Sequence, residues 1–193
     1  MNNPKVKIIT IKNLSNAHYK LDKVDFEFQT KNGDWQTQSR ECYDRGDGAA
    51  ILLYNPTKKS VILTKQFRMP SYLNGNETGM MVEVCAGLLD ENNPEACIIK
   101  EAEEETGFKI TNPKKVFVLY STPGAVTEKI HYFVAAYSDK MKIGNGGGLE
   151  AEHEEIEVLE INFETALTMI SKGEINDAKT VVLLQYAKIN QLI

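Results

Sequence analysis

Residues 86–107 read AGLLDENNPEACIIKEAEEETG, and the KEAEEETG that closes this stretch decides how the chain is read. Glu101, Glu103, Glu104 and Glu105 crowd together and Thr106-Gly107 follows at once. Side chains at i and i+4 share a helix face, so Glu101 and Glu105 point the same way, with Glu104 close to that face. Like charges at that spacing weaken an isolated helix, which implies a compensating cation. Carboxylate oxygens suit Mg²⁺ or Mn²⁺. The punctuation agrees with a helix. Asn93 is suited to the N-cap, Pro94 to the first helical position and Gly107 to the residue after the last turn. Ala96, Ile98, Ile99 and Ala102 supply an apolar side that can face a core.

This stretch resembles the Nudix box, a glycine followed at fixed spacing by a glutamate and then by Arg-Glu-apolar-x-Glu-Glu-x-Gly-apolar. Gly87, Glu101, Ala102, Glu104, Glu105, Gly107 and Phe108 match. Lys100 stands in place of the arginine, the spacing from Gly87 to Lys100 is shorter, and Asn92 occupies the register of the upstream glutamate, with Glu91 and Glu95 near it. The resemblance implies that the Ala86 carbonyl, Glu101 and Glu105 ligate a metal and that Glu104 assists. It also implies an α+β fold: a Nudix α/β/α sandwich around a mixed sheet, over residues 46–193.

Working outward, residues 1–45 form a separate piece. HYKLDKVDFEFQT alternates apolar and polar residues, Lys31-Asn32-Gly33-Asp34 is a hairpin signal, and Trp35 to Tyr43 returns as a strand. Three strands with one apolar face do not stand alone easily, so this small antiparallel β module needs a partner surface. By resemblance to nucleotide-sugar Nudix enzymes, it belongs to a homodimer interface and is open to exchange between subunits. Asp44-Arg45-Gly46-Asp47-Gly48 marks the boundary. AAILLYN and SVILTKQF then read as strands, MMVEVCAGLL leads into the box, VFVLYSTPGAV, KIHYFVAAY and EIEVLEIN read as further strands, and Phe163–Lys172 and Asp177–Ile189 as helices.

Composition narrows the partners. The net charge of −5 argues against nucleic acid and anionic membranes. No apolar run is long enough to span a bilayer, and the first residues lack a secretory pattern. Cys42, Cys85 and Cys97 share no metal-type spacing; they fit a reducing cytoplasm, with Cys85 a core residue.

The remaining candidates surround the box. GNGGGLEAEHEEIE is rich in glycine and acid and reads as a mobile acidic lid able to orient a water. Glu150, Glu152, Glu154 and Glu155 are its acids. Glu154 is favoured by its place before the last strand, with Glu152 as alternate. STPGAVTE contains a Pro-Gly turn that brings Glu128 toward the pocket. Its Pro123 resembles the ADP-ribose pyrophosphatase branch. Arg68 has a fork suited to phosphate oxygens. Arg40 beside Glu41 closes the N-terminal module. Lys179 opens a helix where the dipole gives a lysine nothing, which suggests a nearby anion. Tyr19 is able to stack on a base.

YDRGDGAAILLYNPTKKSVILTKQFR, NGNETG, CAGLLD, STPGAVTE, YSD, GGG, IEVLE and GEINDAKTVVLL together resemble the GDP-mannose hydrolases of the Nudix family. The resemblance implies Mg²⁺-dependent cleavage of GDP-mannose to GMP and mannose 1-phosphate. It places Tyr19, Ser39, Arg40, Glu41, Arg68, Ala86, Gly87, Leu88, Glu105, Glu128, His153, Glu154 and Lys179 at substrate or metal positions. His153 replaces an acid there, and Ser39 replaces a basic residue. Two alternatives stand beside it: an ADP-ribose pyrophosphatase giving AMP and ribose 5-phosphate, and a nucleotide-sugar sensor without turnover.

Overall fold

The computed structural model describes residues 5–89 and 93–193, which leaves Glu91 and Asn92 outside the described residues. The chain divides into two compact units. One runs to Asp47 and takes in Tyr120–Lys129; the other comprises Gly48–Leu119 and Ile130–Ile193. The sequence suggested a division after residue 45 and gave no sign that Tyr120–Lys129 belongs with the first unit. The joining element is a parallel bridge between Tyr43 and Val126.

In the first unit, β1 (Val6–Asn16), β2 (Lys20–Gln29) and β3 (Trp35–Asp44) form an antiparallel sheet in that order. The β2–β3 turn closes through Thr30 N to Asp34 O at 2.8 Å, with Gly33 at φ +92°, a conformation that favours glycine. All of β1 is exposed, including Val6, Ile8, Ile9, Ile11 and Leu14.

The second unit is built on β4 (Gly48–Asn55) and β5 (Ser60–Phe67). Then come α1 (Met69–Leu73), β6 (Met80–Glu83), β7 (Cys85–Leu88), α2 (Pro94–Thr106), β8 (Lys114–Tyr120), β9 (Lys129–Ala136), β10 (Glu157–Asn162), α3 (Phe163–Lys172) and α4 (Ala178–Ile189). The sheet order is β10-β5-β4-β9-β8, with β6 on β5 and β7 on β4. β4 runs parallel to β9 and antiparallel to β5 and β7, so the sheet is mixed, as expected.

Alternation along β4 makes the layers. Ala50 and Leu52 join Phe163, Ala166, Leu183 and Leu184 of α3 and α4 in one apolar cluster. Ala49, Ile51 and Leu53 join Ile98 and Ala102 of α2, with Phe108 and Ile110, in the other. A strand buried on both faces reads as an unbroken apolar run, which is why AAILLYN lacks polar alternation. Each fully buried leucine there contributes roughly 1.5–3 kcal/mol.

Two details go beyond the sequence reading. MMVEVCAGLL, which leads into the box, is two strands. The break falls at Val84, whose N–H donates to Thr180 Oγ1 of α4 at 2.8 Å, and the chain then changes partner from β5 to β4. The short helix α1 was not anticipated; five residues are too few to show a helical period.

Candidate active site

The site is built where α2 crosses β7. Asn93 Oδ1 accepts the Ala96 N–H at 2.8 Å and fixes the start of α2, while Gly107, left-handed at φ +76°, ends it. With the ends fixed, Glu101 and Glu105 share a face turned toward Ala86 and Gly87. The Ala86 N–H donates to Glu105 Oε2 at 3.3 Å. A Cβ at Gly87 would collide with the Glu101 side chain, so the glycine leaves room for that carboxylate against the strand. Leu88 follows on the same strand, and its carbonyl accepts from the Cys97 thiol at 3.2 Å.

Glu105 is only 2% exposed. Burial, above all, pushes its pKa up to about 8, and the Glu101 and Glu154 carboxylates push the same way. The Cys85 thiol and the Ala86 amide oppose them. Three carboxylates thus feel one another around a buried oxygen. Among the described residues, no three acidic, histidine or cysteine side chains are already gathered at metal-holding distance. The donors are hard oxygens of the right charge, and a divalent cation would offset the burial and the repulsion that together raise Glu105. Glu104 points elsewhere: its carboxylate is 3.0 Å from Lys100 Nζ, one turn away.

The glycine-rich segment is more constrained than a mobile lid. Ile143 N and Gly144 N donate to Gly107 O at 2.9 and 3.2 Å, Gly147 N to Glu105 O at 2.9 Å and Gly148 N to Glu104 O at 3.2 Å. A Cβ at Gly146 would strike the Glu105 carbonyl. The glycines serve to lay this segment on the end of α2. Beyond it, Glu154 Oε2 accepts the Leu149 N–H at 3.1 Å, and His153 is exposed with φ +56°. The Glu152 side chain lies outside what the structure describes.

Arg68 does not hold a free fork. Nε lies 3.2 Å from both oxygens of Glu83, and Nη2 is 2.6 Å from Oε2. Burial works against its charge, but Glu83 outweighs that, with Glu105 and Asp177 adding, and its pKa is raised. Glu83, 4% exposed, was missed in the sequence. The signal was a lone acid inside MMVEVCAGLL, since a buried glutamate needs a partner. The anion expected near Lys179 is Asp177, 2.7 Å from Nζ. Asp177 also caps α4, accepting from Thr180 N at 2.9 Å and Thr180 Oγ1 at 2.7 Å.

The other candidates lie in the first unit. Ser39 sits opposite Asp25, and Glu41 opposite Lys23, across β2 and β3. Arg40 is exposed, with Nη1 on Ser39 O and Nη2 on Gln38 Oε1, each at 2.8 Å. Tyr19 lies between β1 and β2, with its ring near those of His18 and Tyr43. Glu128 is 7% exposed and paired with Arg45. Arg45 had been read only as part of a boundary.

Comparison with known proteins bears on both units. Residues 5–43 match the family model described as the GDP-mannose pyrophosphatase NudK N-terminal domain, and residues 44–183 match the NUDIX domain. A protein of Shigella flexneri serotype 5b named GDP-mannose pyrophosphatase is 50% identical over 188 residues, 97% of each chain. One of that name from Citrobacter koseri is 50% identical over 189 residues, 98% of each chain. Another, from Pectobacterium atrosepticum, is 51% identical over 182 residues, 94% of this chain and 93% of its own. Nudix hydrolases generally use divalent metal ions, which suits the carboxylates around Glu105. The box helix observed between Asn93 and Gly107 lies inside a match that covers most of the sequence, and on those grounds the chain belongs to the Nudix family of hydrolases.

Proposed function

We propose that this chain hydrolyses the diphosphate bond of GDP-mannose, giving GMP and mannose 1-phosphate, with Mg²⁺ as the cofactor and Mn²⁺ as a substitute. The observation that carries the reading is the convergence on Glu105, a buried carboxylate beside Glu101, Glu154 and the Ala86-Gly87 backbone. The names and near-full-length identity of the relatives support the choice of substrate.

The Ala86 carbonyl, Glu101, Glu105 and Glu154 would hold the cation. When bound, it supplies charge neutralisation at the diphosphate and acidifies water. Glu104 stays paired with Lys100, which fixes its carboxylate along the helix. Glu154, tied to the Leu149 amide and close enough to act on Glu105, is the loop acid we assign to orient the attacking water. Arg68, held by Glu83, and Lys179, held by Asp177, present cations of fixed position to phosphate oxygens. In the first unit we assign Tyr19, Ser39, Arg40, Glu41 and Glu128 to substrate contacts; in the second, Gly87, Leu88 and His153.

The working form is a homodimer in the cytoplasm. The uncovered apolar residues of β1 support a dimer in which residues 1–45 serve as the interface. Free Cys42, Cys85 and Cys97 support a reducing compartment.

The test is incubation with equimolar GDP-mannose and ADP-ribose plus Mg²⁺, followed by anion-exchange separation. Faster release of GMP is expected. Faster release of AMP would move the enzyme to ADP-ribose, the reading favoured by the Pro123 turn. Ligand-dependent stabilisation with neither product would leave a nucleotide-sugar sensor.

A further inference from the structure

YDRGD and VTEK, far apart in sequence, are stitched together in the first unit. Tyr43 N donates to Ala125 O at 2.8 Å and Thr127 N to Tyr43 O at 3.0 Å. Thr127 Oγ1 donates to Asp44 Oδ1 at 3.1 Å, and Lys129 N to Asp47 Oδ1 at 2.8 Å. Glu128 lies between the last two ties, so its backbone is held on both sides. Its carboxylate is buried and meets Arg45 Nη1 at 3.2 Å from Oε1. The same guanidinium lies over the Tyr19 ring, 5.6 Å from carbon to centroid, and Tyr19 meets the Tyr43 ring edge-on at 5.9 Å. Arg45 Nε is buried without a hydrogen-bond partner.

A buried carboxylate is tolerated only when paired. A guanidinium can donate along its edge while its face rests on an aromatic ring, which an ammonium cannot do in the same geometry. Arg45 therefore joins two side chains that sequence reading singled out separately, Tyr19 and Glu128.

We propose that Arg45 is a positioning residue. It holds the Glu128 carboxylate and the Tyr19 ring in one fixed arrangement, and through them it sets how the nucleotide sugar is received. This rests on the reading of Tyr19 and Glu128 as substrate residues given above.

The test is a double-mutant cycle on the full chain: Arg45→Met, Glu128→Gln and the two combined, with kcat and KM for GDP-mannose and a melting curve for each. Arg45→Met and Glu128→Gln are each expected to lose about ten- to a hundredfold in kcat/KM, the scale set by misplacing a reacting group. The loss should divide between kcat and KM in the same way in both. The combined variant should lose no more than the worse single one, as for residues acting as a unit. Arg45→Lys, which keeps the charge, should lose less than Arg45→Met. Full activity in Arg45→Met beside a loss in Glu128→Gln overturns the positioning role and leaves Glu128 in place. Losses that multiply in the combined variant overturn it too, because Arg45 would then act independently. Full activity in Glu128→Gln removes the underlying reading of Glu128 instead. If Arg45→Met fails to fold, Arg45→Lys replaces it in the cycle under the same criteria.

Discussion

β4 and β1 are both rich in branched apolar side chains, and they meet opposite fates. In β4, Ile51, Leu52 and Leu53 are wholly buried, because α2 covers one face and α3 and α4 the other. In β1, Ile11 is 61% exposed and its apolar neighbours are also open. Strand-forming sequence alone does not say what will cover a strand. In the second unit the covering helices come from the same chain. In the first unit, β1 keeps an open edge and open faces, the condition that a second subunit would relieve.

The contrast is tested most strongly in the second unit's site. Glu105→Gln should cut kcat by about a thousandfold or more, beyond the ten- to hundredfold lost with an outer-shell partner. Circular dichroism should show the fold unchanged. Activity near the parent level would remove Glu105 from the metal site.

Next in size is a pair of truncations. Leu52→Ala should cost about 2–5 kcal/mol in urea unfolding, for a core leucine that leaves a cavity. Ile11→Ala should cost less than about 0.5 kcal/mol of unit stability, while Ile11→Asp should shift sedimentation from dimer to monomer. Equal losses at Leu52 and Ile11 in a monomeric protein would erase the distinction between the strands.

A smaller effect should appear with pH in protein stripped of metal. Glu105 keeps its proton up to about 8 when folded and releases it near 4.5 when unfolded. Between those values the folded state binds more protons, so stability is greatest below about 4.5 and falls as pH rises toward 8. The melting temperature should decline across that window, and added Mg²⁺ should restore more of it at the alkaline end. A metal-free melting temperature independent of pH there would show that Glu105 is not strained.

The smallest effect is expected from Lys100→Gln. The pair with Glu104 is a surface i,i+4 contact worth about 0.2–0.5 kcal/mol. A loss of activity as large as that of Glu105→Gln would instead make Lys100 part of the working site.

Much of this was legible in the sequence because it was written locally. The cap at Asn93, the stop at Gly107 and the spacing of Glu101 and Glu105 lie within one helix. The two ends of α3 were readable from Phe163 and Gly173 for the same reason. What stayed hidden depended on partners distant in sequence. Glu83 gained its meaning from Arg68 just past the neighbouring strand, Val84 from Thr180, and Arg45 from Glu128. Gly144, Gly146, Gly147 and Gly148 suggested mobility because composition cannot show that they lie against the carbonyls ending α2.

Those glycines also give the site a spectroscopic handle. The Gly147 and Gly148 amides donate to the carbonyls of Glu105 and Glu104, so their proton frequencies depend on the main chain at the end of the helix that carries Glu101 and Glu105. In a nitrogen-correlated NMR spectrum, glycine amides fall in a sparsely populated region and can be followed one by one. A titration with cation or nucleotide would then be read directly from the main chain, without a probe attached to any side chain of the pocket.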